Sequence, residues 1–127
     1  MPPKSTGEML AAISNEMVRL KAQHYGKGAV EAKTYLNDDF LFVVLKGGMT
    51  KIEETLVDSG DEALVRQVRL RFQEQMTVAF TDAVEKVTGC KVLAHQSQVV
   101  FNPDYSFEIF LLDRNDEDPR DAADGGG

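Results

Sequence analysis

The chain has 127 residues, 14 basic and 21 acidic side chains and a net charge of −7, a size for one domain with one core. The acidic balance argues against a nucleic-acid binder and against adsorption to anionic lipid. The longest apolar run, Phe40 to Leu45, is strand-sized and far short of the ~20 residues that span a bilayer.

Ser5 and Glu8 have capping-box spacing and open an amphipathic helix. Leu10, Ile13, Met17 and Leu20 repeat at steps of three and four along it, with His24 next on that face. Gly26 and Gly28 stop it. Val30, Ala32, Thr34 and Leu36 alternate with Glu31, Lys33 and Tyr35, the pattern of a half-buried strand. After a turn at Asn37, Asp38 and Asp39, Phe40 to Leu45 is apolar on both faces, as a covered central strand is. A gap this short makes the two strands an antiparallel hairpin.

Thr50 and Glu53 form a second capping box ahead of a short helix, and Ser59 and Glu62 a third ahead of a long one ending near Thr88 at Gly89. The apolar face of that long helix reads Leu64, Val68, Phe72, Met76, Ala79, Phe80, Ala83 and Val87. At roughly 40 Å it exceeds what a small sheet covers, which predicts a homodimer that buries the excess. Lys91 to Phe101 and Tyr105 to Leu112 make a second hairpin, with Phe107, Ile109 and Leu111 on one face. The expected fold is a two-layer α+β domain over residues 5–113, in the order α-β-β-α-α-β-β. It has a four-stranded, mostly antiparallel sheet with two helices, one of them long, packed on one face. Residues 114–127, with five acids between Asn115 and Gly127, read as a disordered acidic tail.

Chemistry-bearing patterns are few. Cys90 has no CxxC partner and neither histidine near it in sequence, and it reads as a core filler in a reducing cytoplasm. His24 and His95 lack metal-ligand spacing, no phosphate-cradling glycine motif precedes a helix, and no cofactor or metal is expected. Arg66, Arg69 and Arg71 stand together on an otherwise acidic chain and suit a surface that meets carboxylate or phosphate on a partner. All three are expected to tolerate glutamine without loss of fold. A competing pocket would gather His24, Tyr25, Asp38 and Asp39 between the first helix and the first hairpin.

Several short stretches follow one another in order: Ile13-Ser14-Asn15, Tyr25-Gly26-Lys27-Gly28, Ala32-Lys33 with Tyr35, and Leu45 to Thr50 ahead of Glu53. Leu64-Val65-Arg66 with Arg69, Phe72-Gln73 and Met76 follows, then Thr88-Gly89, then Pro103-Asp104 before Glu108 and Phe110. Together they make the chain resemble the MpsC-like family across Thr6 to Leu112. Cys90 departs from the pattern, which has a basic residue there. The resemblance implies association with a sodium-translocating, membrane-potential-generating system and supplies no catalytic residues. The expected function is therefore a non-catalytic cytoplasmic accessory or regulatory protein. It would act as a homodimer on a membrane transporter subunit, with no nucleic acid bound and no direct membrane insertion. The alternative is a small ligand-binding module or enzyme using the His24–Asp39 pocket.

Overall fold

The computed structural model describes residues 5–26 and 31–114. The acidic tail from Asn115 onward lies outside the described residues, as do Lys27, Gly28 and Val30. Helix α1 (Thr6–Tyr25) begins where the Ser5 hydroxyl accepts the Glu8 backbone N–H at 3.1 Å. It ends at Gly26, whose φ of +88° is a left-handed cap that costs glycine little. Strands β1 (Glu31–Asn37) and β2 (Phe40–Lys46) pair antiparallel across the two-residue turn Asp38-Asp39, with Asp38 at φ +54°. Aspartate tolerates that conformation, so the two acids are there to make the turn.

Helix α2 (Lys51–Asp58) carries the complete Thr50/Glu53 capping box. The box expected at Ser59 and Glu62 does not form. Ser59 closes the C-terminus of α2 by donating to the Thr55 and Leu56 carbonyls, Gly60 reverses the chain at φ +91°, and Asp61 starts the next helix without a side-chain cap. The long helix is two: α3 (Glu62–Gln75) and α4 (Thr77–Thr88), hinged at Met76. There the Met76 N–H is shared between the Phe72 and Gln73 carbonyls, and the Thr77 hydroxyl bonds back to Gln73 O at 3.4 Å. Such back-bonding competes with the regular ladder and bends a helix. Excess helix length is thus no longer a reason for a second subunit.

Strands β3 (Lys91–Val100) and β4 (Tyr105–Asp113) complete an antiparallel sheet of order β1-β2-β4-β3. The expected α+β class and four-stranded sheet are present, with helices α1, α3 and α4 against one face. On β4 that face is Ser106, Glu108, Phe110 and Leu112, whereas Phe107, Ile109 and Leu111 point away from the helices. Met9, Ile13, Met17 and Leu20 of α1 pack with Leu41, Val43, Leu45, Phe110, Leu112, Phe80 and Val84. A second apolar cluster holds Met49, Val65, Val99 and Phe101. A polar seam separates the two.

Gly89 ends α4 at φ +72°, and a Cβ there would meet nothing within 4 Å. Gly89→Ala is therefore expected to cost only the backbone term, about 1 kcal/mol. Thermal denaturation followed by circular dichroism should show a midpoint lower by roughly 3–6 °C.

Candidate functional site: the buried polar seam

The seam follows the inner stripe of α3. Val65 belongs to one apolar cluster and Met76 to the other, and between them on the same face stand Arg69 and Gln73, each 2% exposed. On β4 Ser106 and Glu108 precede Phe110, and on β3 Ser97 and His95 lie between Val99 and Val92. An ion or amide enters such an interior only with its hydrogen bonds made.

Glu108 is fully buried and accepts three bonds, from Gln73 Nε2 at 2.8 Å, from His95 Nε2 at 2.7 Å and from the Ser97 hydroxyl. His95 stacks on Phe110 with centroids 4.6 Å apart, while its Nδ1 lies 3.2 Å from the Thr77 hydroxyl. Serine, histidine and glutamate within bonding distance resemble a hydrolytic triad in composition only. A triad places the serine and the acid on opposite ring nitrogens. Here Ser97 and Glu108 share Nε2, and Ser97 itself bonds the carboxylate. No relay runs from serine through the imidazole to the acid, and the group ties β3, β4, α3 and α4 together.

Arg69 anchors the other end. Its Nη1 donates to Asp104 Oδ1 at 3.2 Å, and its Nε lies 3.7 Å from Glu53 Oε2. Asp104 also accepts the Met49 N–H through Oδ2, and its carbonyl accepts the Gly47 N–H, so the loop after β2 is tied to the β3–β4 turn. Glu53 serves twice: Oε1 completes the capping box at the Thr50 N–H, and Oε2 accepts from the Tyr25 hydroxyl. Burial, and then that bond to Glu53, push the Tyr25 phenol well above its ordinary range.

Lys21 reaches the seam from α1. It is 2% exposed, and its Nζ has no hydrogen-bond partner but sits 6.0 Å from the centre of the Tyr25 ring. Burial, reinforced by the Arg69 charge, lowers its pKa from 10.5 to about 8, although Glu108, Asp104 and Glu53 pull the other way. Arg69 Nη2, Gln73 Oε1 and Ser106 Oγ are buried without partners as well.

The surface arginine stripe does not exist as a unit. Arg69 is interior and ion-paired, so glutamine at all three positions would not spare the fold. Arg66 turns toward β3, donating to the Val99 carbonyl, and lies 3.3 Å from Glu62 and over the Phe101 ring. Arg71 alone of the three is fully at the surface. The candidate pocket does not converge either. Tyr25 faces Glu53 and Phe72 beyond the exit of β2, His24 is exposed, and Asp38 and Asp39 sit at the other end of the seven-residue strands. That separation is about 20 Å at ~3.3 Å per residue. Sequence pattern gives Glu53 a capping role and places Gln73, Asp104 and Glu108 in family-like stretches, but it assigns none of them, nor Lys21, to a site. The available signal was a lone acid, Glu108, inside the otherwise apolar run Phe107 to Leu112. Among the described residues no group of three His, Cys, Asp or Glu side chains suits a metal ion.

Below pH 8 Lys21 is protonated in folded and unfolded chains alike, and the cost of burying the charge is constant. From about pH 8 to 10.5 the folded chain sheds the proton first, so the unfolded state binds more protons and stability rises with pH. The shift corresponds to about 3 kcal/mol. Lys21→Met is expected to raise the urea midpoint at pH 7 and to flatten this rise. Parallel pH profiles for variant and wild type would contradict the assignment.

A family model described as "Na+-translocating membrane potential-generating system (MpsC)" matches residues 5–114. "Uncharacterized protein YbcI" of Bacillus subtilis (strain 168) is 31% identical over 110 residues, covering 86% of this chain and 89% of that protein. No solved structure matches. The matched region takes in every helix and strand of the fold and all of the polar seam. On these grounds the chain belongs to the MpsC family.

Proposed function

We propose that the protein is a non-catalytic accessory or regulatory component that docks on a membrane ion or solute transport system from the cytoplasmic side. One observation carries the reading: the charged side chains at the centre of the seam are enclosed away from the surface, while large apolar side chains stand uncovered on it. Glu108, Arg69 and Lys21 are at most 2% exposed, whereas Leu64 and Val68 of α3 are 44% and 50% exposed. An enzyme of this size would turn its charged groups toward a cleft. A binding module keeps them inside and presents apolar surface. The family description supports a membrane system as the destination. No helix among the described residues is long and apolar enough to cross a membrane, so in this reading the chain meets that system by contact.

The docking surface assigned in this reading is the outer stripe of α3. Leu64, Val68 and Arg71 are spaced by four and three residues, so they share a face. An exposed guanidinium beside two apolar side chains fits a partner segment carrying a carboxylate next to apolar residues. The test is photo-crosslinking from position 67 of the full chain in native membranes, with Val68→Asp and Arg71→Glu as variants. Wild type is expected to capture an integral transport subunit, and each variant to lose at least about fivefold of it. Capture should also weaken as salt rises from about 0.05 to 0.3 M, because an exposed charge pair is screened. Equal capture by wild type and both variants would overturn the assignment.

A further inference from the structure

The sheet has helices on one side only, and its other side is not polar. Successive strand residues point to opposite faces. With Leu41, Val43 and Leu45 facing the helices, Phe40, Phe42 and Val44 of β2 face away, as do Phe107, Ile109 and Leu111 of β4. The register sets Phe40 against Leu111, Phe42 against Ile109 and Val44 against Phe107, so the apolar band runs along both central strands. An antiparallel sheet open to water on one side ordinarily alternates apolar with polar residues. Here β2 is apolar on both faces from Phe40 to Leu45, the outer side of β4 is apolar from Phe107 to Leu111, and Phe40 remains 44% exposed.

We propose that this outer face is a self-association surface, and that its occupant is a second copy of the chain, packed face to face. Three features favour a copy over a foreign partner. The first is symmetry. The band lies over β2 and β4, with polar side chains at both edges: Glu31 and Lys33 on β1, Gln96 and Gln98 on β3. A two-fold axis in the plane of the interface, parallel or perpendicular to the strands, lays central strands on central strands and rim on rim. That is the self-complementarity an isologous interface needs.

The second feature is charge. The chain carries −7, and two such chains repel at long range. The outward strand positions, however, hold Lys33, Lys46 and Lys91 against Glu31 and Asp113, so the face itself carries no excess of acid. Lys46 and Glu31 are 4.0 Å apart and neutralise one another at one corner. The acidic surface lies elsewhere and stays in water when the two faces meet.

The third is size. Four strands about 4.8 Å apart with seven residues in register cover roughly 450 Å² in plan. Side-chain relief adds to that, so two copies reach the ~1,000 Å² expected of a specific interface. The product would be a four-layer helix–sheet–sheet–helix dimer whose inner sheets pack about 10 Å apart. Each α3 docking stripe would face outward, one on either side of the dimer. The surface is separate from the α3 stripe, and the inference does not depend on the docking reading.

The test is light scattering on the full chain over about 1–100 µM, with far-UV circular dichroism of every variant. The wild type is expected at twice 14.1 kDa and to dissociate on dilution. Ile109→Lys and Phe107→Glu, on the outer face, should give folded monomers. Tyr35→Glu, at the rim and already 47% exposed, should weaken the dimer at least tenfold in Kd even if the central variants fail to fold. Val68→Asp on α3 should leave it intact. A wild type of 14.1 kDa at every concentration would overturn the proposal, including the case in which a foreign protein covers the face. A dimer that survives Tyr35→Glu and is lost with Val68→Asp would overturn it equally.

Discussion

An arginine taken out of water decides how the helices meet the sheet. Desolvating a guanidinium costs several kcal/mol, which is recovered only where carboxylates converge on it with good geometry. For Arg69 those carboxylates come from two distant places, Glu53 in the first turn of α2 and Asp104 in the β3–β4 turn. Meeting both fixes the rotation of α3 about its axis. Gln73, one turn on, then falls opposite Glu108, and Leu64 and Val68 are turned out to solvent. The two apolar clusters lie on either side of this junction, so one ion-pair geometry positions α2, α3, the loop after β2 and the β3–β4 turn together.

Much of this was legible from short-range patterns and little of it from the seam. The α1 stripe through Ile13, Met17 and Leu20, the Thr50/Glu53 capping box and both hairpins follow from local spacing and turn chemistry, and they are found. Where tertiary pairing overrides hydrophobic periodicity, the reading fails. Leu64 and Val68 look like a buried face only if charge is assumed to stay outside, yet Arg69 and Gln73 take that face. The same assumption placed Arg69 on the surface. On β4, apolar residues at every position but Ser106 and Glu108 hide which face is inner, and partners distant in sequence, Gln73 and His95, decide it. The break at Met76 has no glycine or proline to announce it; it is seen in the Met76 N–H shared between the Phe72 and Gln73 carbonyls.

Interior and surface divide the side chains: the charged groups lie inside, and large apolar groups lie outside. In the seam Arg69 holds Glu53 and Asp104, Tyr25 donates to Glu53, and His95 bonds Glu108, while the Lys21 ammonium is buried among them without a hydrogen bond. The seam specifies one arrangement of helices on the sheet. That rigid arrangement leaves two uncovered apolar regions, on α3 and on the outer sheet face, pointing in different directions. The proposed docking on a transport system and the proposed self-association each take one of them.

The most direct measurement compares Arg69→Gln with Arg71→Gln in urea denaturation at neutral pH. The two positions are two residues apart on one helix, and the substitution removes the same charge. If the buried ion pairs of Arg69 set the packing, Arg69→Gln loses about 3–5 kcal/mol, the cost of stranding a buried carboxylate, and Arg71→Gln stays within about 0.5 kcal/mol of wild type. Equal, small losses at both positions would contradict the central place given to Arg69.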